Sequence, residues 1–236
     1  MYFYGFDMTY VILVLPCLIL AMLASSNVNN TFKKYSRQLS RRGITGAEAA
    51  QRVLNAHGVR NVQISRISGN LTDHYDPKSN VIRLSDSVYS DTSTAAIGVA
   101  CHEAGHAVQY AQNYAPIKLR AAVIPVTNLG SKLAMPLILL GIILNFLGEI
   151  SYFFVYLGIA CFGLSFVFQL ITLPVEFNAS RRALQAIDDQ EILAGDELKG
   201  AKKTLQAAAM TYVAATAVAL AQLLRLIMIF GRRRND

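Results

Sequence analysis

Residues 102–106 read His-Glu-Ala-Gly-His. Side chains four apart lie on one face of a helix, one turn above each other. Two imidazoles placed that way can share a tetrahedral zinc ion at roughly 2.0–2.1 Å. Glu103 follows the first histidine and stands beside such a metal rather than on it. From there it can take a proton from a zinc-activated water and pass it to a leaving amine. The chemistry written into H-E-x-x-H is therefore metal-dependent peptide hydrolysis. With four His and six Glu in 236 residues, a chance match is rare, on the order of 0.2%. The flanks, Thr94 to Cys101 and Ala107 to Gln112, continue a helix broken only by the helix-compatible Gly98 and Gly105.

A catalytic zinc takes three protein ligands and keeps one position open for water. The third must lie on the same side of any membrane as His102 and His106. Glu176, in Leu173-Pro-Val-Glu-Phe-Asn-Ala-Ser180, stands out because it follows a segment that returns the chain to where it left. Arg181 and Arg182 come next and are candidates to meet a substrate carboxylate or a lipid phosphate. The other two histidines are weaker candidates. His57 reads as the end of a helix. His74 and Tyr75 are candidates to stabilise a tetrahedral oxyanion.

The elements that must position these residues divide into apolar and polar stretches. The chain is 53% hydrophobic and only 16% charged, with mean hydropathy +0.36, against about 25% charged in a soluble domain. That excludes a disordered chain, a collagen-like one and a coiled coil, and argues against a simple soluble globule. Three cysteines, an odd number, exclude a disulfide framework and read as reduced structural thiols. Four stretches compete for the bilayer, Thr9–Ala24, Leu133–Leu147, Tyr152–Leu173 and Ala207–Phe230. The middle two, separated by Gly148-Glu-Ile-Ser151, form a transmembrane hairpin. The first lacks the positive lead of a cleaved signal and reads as an anchor. The fourth carries Gln222 and Arg225 and is the least certain span.

Lys and Arg set the orientation. Residues 25–120 carry 12 of them, residues 175–208 carry 5, and the hairpin turn carries none. Both polar regions therefore belong on the cytoplasmic side. Arg232, Arg233 and Arg234 conflict with this if the fourth segment spans. The net charge of +7 and pI of about 9.4 fit that loop bias. No nucleic-acid motif accompanies the basic run from Phe32 to Gly43, which reads as a juxtamembrane stretch on anionic lipid.

Between the anchor and the hairpin, Thr45-Gly-Ala-Glu48 is a capping box opening a short helix through Val53 and Leu54 to His57-Gly58. Runs around Val62–Ile67, Leu71–Tyr75 and Val81–Leu84 alternate and are separated by turn residues. They predict a small antiparallel meander. The last run precedes the histidine helix and is a candidate edge strand for an extended peptide. Ser90 to Thr94 supply N-cap candidates for that helix.

Gly43-Ile-Thr-Gly46, Leu71-Thr-Asp-His-Tyr-Asp-Pro77, Val81-Ile-Arg-Leu-Ser85, Cys101-His-Glu-Ala-Gly-His106 and Leu173-Pro-Val-Glu-Phe-Asn-Ala-Ser-Arg-Arg182 together give the chain its resemblance to the YugP-type neutral zinc metallopeptidases. That integral-membrane family looks like a relative of the HtpX-type gluzincins. The resemblance covers nearly the whole chain. It implies His102, His106 and Glu176 as zinc ligands and Glu103 as catalytic base. In HtpX-like enzymes an acid four residues after the ligand glutamate supports a zinc histidine. Here that position is Ser180, which leaves the orienting group of the first histidine open.

The expectation is thus a mainly α membrane protein of three to four transmembrane helices with a small zincin-like α+β domain and a short antiparallel sheet. Residues 1–24 form the anchor, 25–120 the zincin-like domain, and 121–174 the hairpin. Residues 175–208 bring the third ligand, and 209–236 hold the last apolar helix and a basic tail. The expected activity is that of a zinc endopeptidase in the cell membrane, acting on membrane-associated or misfolded polypeptides at the cytoplasmic face. An intramembrane site-2-type protease is disfavoured, because its Asp-Gly ligand context is absent. A non-catalytic or degenerate zinc-binding scaffold is the alternative.

Overall fold

The computed structural model describes residues 2–3 and 6–231. In chain order its elements begin with a two-stranded ribbon of β1 (Tyr2–Phe3) and β2 (Phe6–Asp7). A π-helical turn at Tyr10–Val14 leads into α1 (Leu15–Tyr35), followed by α2 (Gly46–Ala56). Then come β3 (Gln63–Ile67), β4 (His74–Asp76), β5 (Val81–Ser85) and α3 (Asp86–Tyr89). The remainder is helical, with α4 (Thr94–Ala111), α5 (Ala115–Ile143), α6 (Glu149–Asp189) and α7 (Asp196–Gly231). These elements fall into two compact units. One comprises Met1–Leu23, Leu119–Leu173 and Tyr212–Asp236, the other Ala24–Lys118 and Pro174–Thr211.

Four helical stretches are long and apolar enough to cross a membrane: Tyr10–Tyr35, Ala115–Phe146, Glu149–Asp189 and Asp196–Gly231. Each exceeds the roughly 20 residues a bilayer core requires. The fourth candidate segment is among them, and its Arg225 is not solitary. In the first unit Arg225 Nε donates to Asp7 Oδ2 at 2.7 Å, and the guanidinium lies 5.3 Å from the Tyr10 ring centre. A cation inside an apolar span is costly alone and far less so when paired. The arginines at 232–234 lie outside the described residues. In the same unit the hairpin turns at Gly148, whose φ of +61° suits a residue without a Cβ. Its two arms touch through small residues. A Cβ on Gly158 would lie 2.8 Å from the Ala134 carbonyl oxygen. Ser151 donates to the Gly141 carbonyl at 2.8 Å, which satisfies its hydroxyl within the hairpin.

The second unit has one continuous core. Val53 and Leu54 of α2, Ile82 and Leu84 of β5, Ile97 and Ala104 of α4, Ile187 of α6 and Leu205 of α7 are all buried in it. The capping box forms: Thr45 Oγ1 accepts from the Glu48 amide at 3.2 Å, and Glu48 accepts from the Thr45 amide at 2.8 Å. Of the Ser90–Thr94 candidates, Ser93 caps α4 by accepting from the Ala96 amide. All three cysteines are free thiols.

The sheet departs from the antiparallel meander expected. Its order is β3-β5-β4, with β3 parallel to β5 and β4 antiparallel to it. Turn residues fix only the local β4–β5 hairpin. What places β5 in the middle is burial, because Ile82 and Leu84 are fully enclosed while β3 and β4 each keep exposed positions. Val81–Ser85 is therefore not an edge strand, and both its sides are already paired. The basic run also makes ion pairs. Arg41 pairs with Asp196 and offers its amide to buried Glu197, and Arg42 pairs with Glu191. These pairs join the loop after α1 to the α6–α7 turn and the start of α7.

Candidate metal centre

The centre is built on α4 and the last third of α6, both in the second unit. Small residues let the two helices approach closely. A Cβ on Gly105 would sit 2.7 Å from the Ala179 carbonyl oxygen, and one on Gly98 would sit 3.3 Å from Ala201 of α7. A longer side chain at either glycine would push the helices apart. This is why the residue before His106 has to be so small.

On that contact, His102, His106 and Glu176 each aim one donor atom at a common point, all within 4.8 Å of one another. Glu176 Oε2 is 3.2 Å from His102 Nε2 and 3.5 Å from His106 Nε2. Ligands at 2.0–2.1 Å around a tetrahedral ion stand about 3.3 Å apart. Both distances fall close to that edge length. Two imidazole nitrogens and one carboxylate oxygen are also a donor set that zinc accepts.

Each histidine has its far nitrogen engaged, which is the support a metal-binding imidazole requires. His102 Nδ1 is 3.1 Å from Ser180 Oγ, so the serine occupies the orienting position left open by the sequence. His106 Nδ1 is 3.0 Å from Gln109 Oε1. Sequence reading missed Gln109, although the signal was present: it lies three residues after His106, on the same face of the helix.

Burial opposes charge on both Glu176 and His106, yet their mutual contacts prevail. Hydrogen bonds from the two histidines hold the Glu176 carboxyl below the usual carboxylate range. Burial alone would lower the His106 pKa, but the Glu176 contact and the nearby Glu103 charge raise it. A divalent cation binding His106 therefore competes with a proton for the imidazole.

Glu103 is buried beside these residues and accepts from the Tyr75 amide of β4 at 3.0 Å. One edge strand thereby fixes one oxygen of this carboxylate. Nearby, burial and the Glu103 charge raise the Asp73 carboxyl, against amide and hydroxyl bonds from Ser85. His74 is exposed and its ring contacts the Thr72 carbonyl, while the Tyr75 hydroxyl donates to Asn80. What ties this strand to the site is the Tyr75 backbone. His57 caps α2, its ring against the Val53 carbonyl. Of the two arginines after Glu176, Arg182 is engaged by Asn178, Gln112 and the Tyr114 ring, whereas Arg181 is exposed.

Comparison with known proteins agrees with this chemistry. Residues 10–231 match the family described as "Putative neutral zinc metallopeptidase". The chain is also 44% identical over 229 residues to "Putative membrane protease YugP" of Bacillus subtilis (strain 168), a match covering 97% of this chain and 100% of that protein. No solved structure matches. Two histidines and a glutamate gathered for a cation, four membrane-length helices and a family match across nearly all of the chain lead to one assignment: this is a membrane protein of the neutral zinc metallopeptidase family, with zinc as its cofactor.

Proposed function

We propose that the protein is a membrane-anchored zinc endopeptidase of gluzincin type, with His102, His106 and Glu176 as zinc ligands and Glu103 as general base. The observation that carries this reading is the gathering of His102, His106 and Glu176 within 4.8 Å, with Glu176 Oε2 3.2 and 3.5 Å from the two Nε2 atoms. Zinc bound there supplies Lewis acidity toward water and toward the scissile carbonyl. Glu103 takes the proton from the attacking water and delivers it to the departing amine. The Tyr75 amide holds the Glu103 carboxylate in place for both transfers. Tight helix packing around the site keeps the base and the ligands in fixed register.

The substrates proposed are membrane-associated or misfolded polypeptides, cut at the cytoplasmic face. The cationic excess in residues 25–120 and 175–208 supports that orientation. A scaffold without activity drew its support from Ser180 in place of an acid. Ser180 Oγ, 3.1 Å from His102 Nδ1, weighs against that alternative, because a hydroxyl there can accept from the imidazole. The test is Glu103→Gln, assayed for casein cleavage and zinc content. The reading expects zinc to stay near one per chain while turnover falls by at least about a thousandfold. Cleavage at the wild-type rate would remove Glu103 from the mechanism.

A further inference from the structure

Beside the donor cluster, the Gln109 side chain is fully enclosed, with both amide hydrogens and the amide oxygen engaged. Its Nε2 donates to the Val175 carbonyl and to Asn178 Oδ1, both at 2.9 Å. Both partners are acceptors, so the amide has one orientation, with Oε1 turned to His106 Nδ1 at 3.0 Å. Asn178 is itself fixed. Its Oδ1 also accepts from Arg182 Nε at 2.7 Å, and a guanidinium can only donate. Arg182 is held in turn by Gln112 Oε1 and lies 5.7 Å from the Tyr114 ring centre.

Two consequences follow from that order. An acceptor at His106 Nδ1 keeps a proton on that nitrogen, so Nε2, which faces Glu176, is the one available to bind a metal. The same amide holds the carbonyl of Val175, the residue immediately before Glu176. One buried side chain therefore reaches a histidine on α4 and the backbone of the glutamate on α6.

We propose that Gln109 is the positioning residue of the metal centre, with Asn178 and Arg182 as its anchor, selecting the His106 tautomer and fixing the Glu176 turn against α4. This rests on the ligand assignment proposed above. His102, by contrast, depends on the single hydroxyl of Ser180.

The experiment uses the full chain in detergent micelles. Zinc dissociation constants are measured by competition with a chromophoric chelator, and the cobalt-substituted proteins are compared by their visible d–d absorption. The variants are Gln109→Leu, Arg182→Ala and Arg182→Lys, with His106→Ala and Glu176→Gln as controls. Gln109→Leu is expected to weaken zinc binding by about 10–100-fold and to shift the cobalt bands. Arg182→Ala, changed at the outer end of the chain of bonds, is expected to weaken zinc a few-fold, and Arg182→Lys to recover most of that, because Asn178 needs only one donor. Arg182→Ala keeps the test decisive if Gln109→Leu does not fold. Wild-type zinc affinity and unmoved cobalt bands in Gln109→Leu and Arg182→Ala, with zinc lost in both controls, would overturn the positioning role. Zinc retained in both controls would instead overturn the ligand assignment beneath it.

Discussion

In the unit of Met1–Leu23, Leu119–Leu173 and Tyr212–Asp236, helices meet through glycines and hydroxyls, and much of the apolar surface stays outward. Ile12, Leu129, Ile143 and Phe146 are all exposed. In the unit of Ala24–Lys118 and Pro174–Thr211, the apolar residues are enclosed in one core, and the polar groups at its centre are bonded to specific partners. The same device, a glycine admitting a neighbouring backbone, serves different ends in the two. At Gly158 it closes a hairpin of two helices. At Gly105 it sets the spacing between two histidines and a glutamate that lies 74 and 70 residues after them in the chain. The first unit needs segments of adequate length with small residues at contacts, and many side chains satisfy it. The second needs particular atoms at particular places.

Three perturbations act differently on the two units. Gly105→Val drives side-chain atoms into the Ala179 carbonyl, which a Cβ alone would already approach to 2.7 Å. The expected result is zinc binding lost by a hundredfold or more and a stability cost of about 1–3 kcal/mol, read by chelator competition and thermal unfolding. Retained affinity would mean that the ligands do not depend on the α4–α6 contact.

The second change is pH, which acts on the site unit alone. His106 has a raised pKa before metal binds, and zinc must displace its proton. Below that pKa zinc affinity should fall about tenfold per pH unit. The stability of the metal-free protein should run the other way. A raised folded pKa contributes stability that is fully present below the unfolded histidine value and is lost as pH rises through the folded one. Parallel trends in the two measurements would contradict the His106–Glu176 pairing.

The third change is Gly158→Leu, which forces the hairpin arms apart where a Cβ would lie 2.8 Å from the Ala134 carbonyl oxygen. It should cost about 1–3 kcal/mol in unfolding and leave zinc affinity within twofold of wild type. A large loss of zinc would show that the two units are not separable in this way.

The same contrast explains what could be read before the fold was known. The His102-Glu103-Ala104-Gly105-His106 helix, the Thr45–Glu48 capping box and the apolar segments are local patterns, each complete within a few turns of chain. Sheet order was not legible, because the pairing of β3 with β5 is decided by which strand the core encloses, and no turn residue records that. The roles of Ser180 and Gln109 were hidden for a similar reason. Each is an ordinary polar residue until the packing of α4 on α6 gives it a histidine to hold. Arg225 made the fourth segment the least certain span, and its partner Asp7 lies 218 residues away, where no local pattern records the pairing.

The central claim is that Glu176, brought back by the helical hairpin, completes a zinc site with His102 and His106. It is tested most directly by elemental analysis of purified wild-type protein and Glu176→Gln, with casein cleavage assayed in the same samples. The account predicts about one zinc per chain in the wild type, with both zinc and cleavage lost or sharply reduced in the variant. Full zinc occupancy in Glu176→Gln would show that the third ligand is another residue, and a wild type that takes up no zinc even when it is supplied would contradict the metal centre itself.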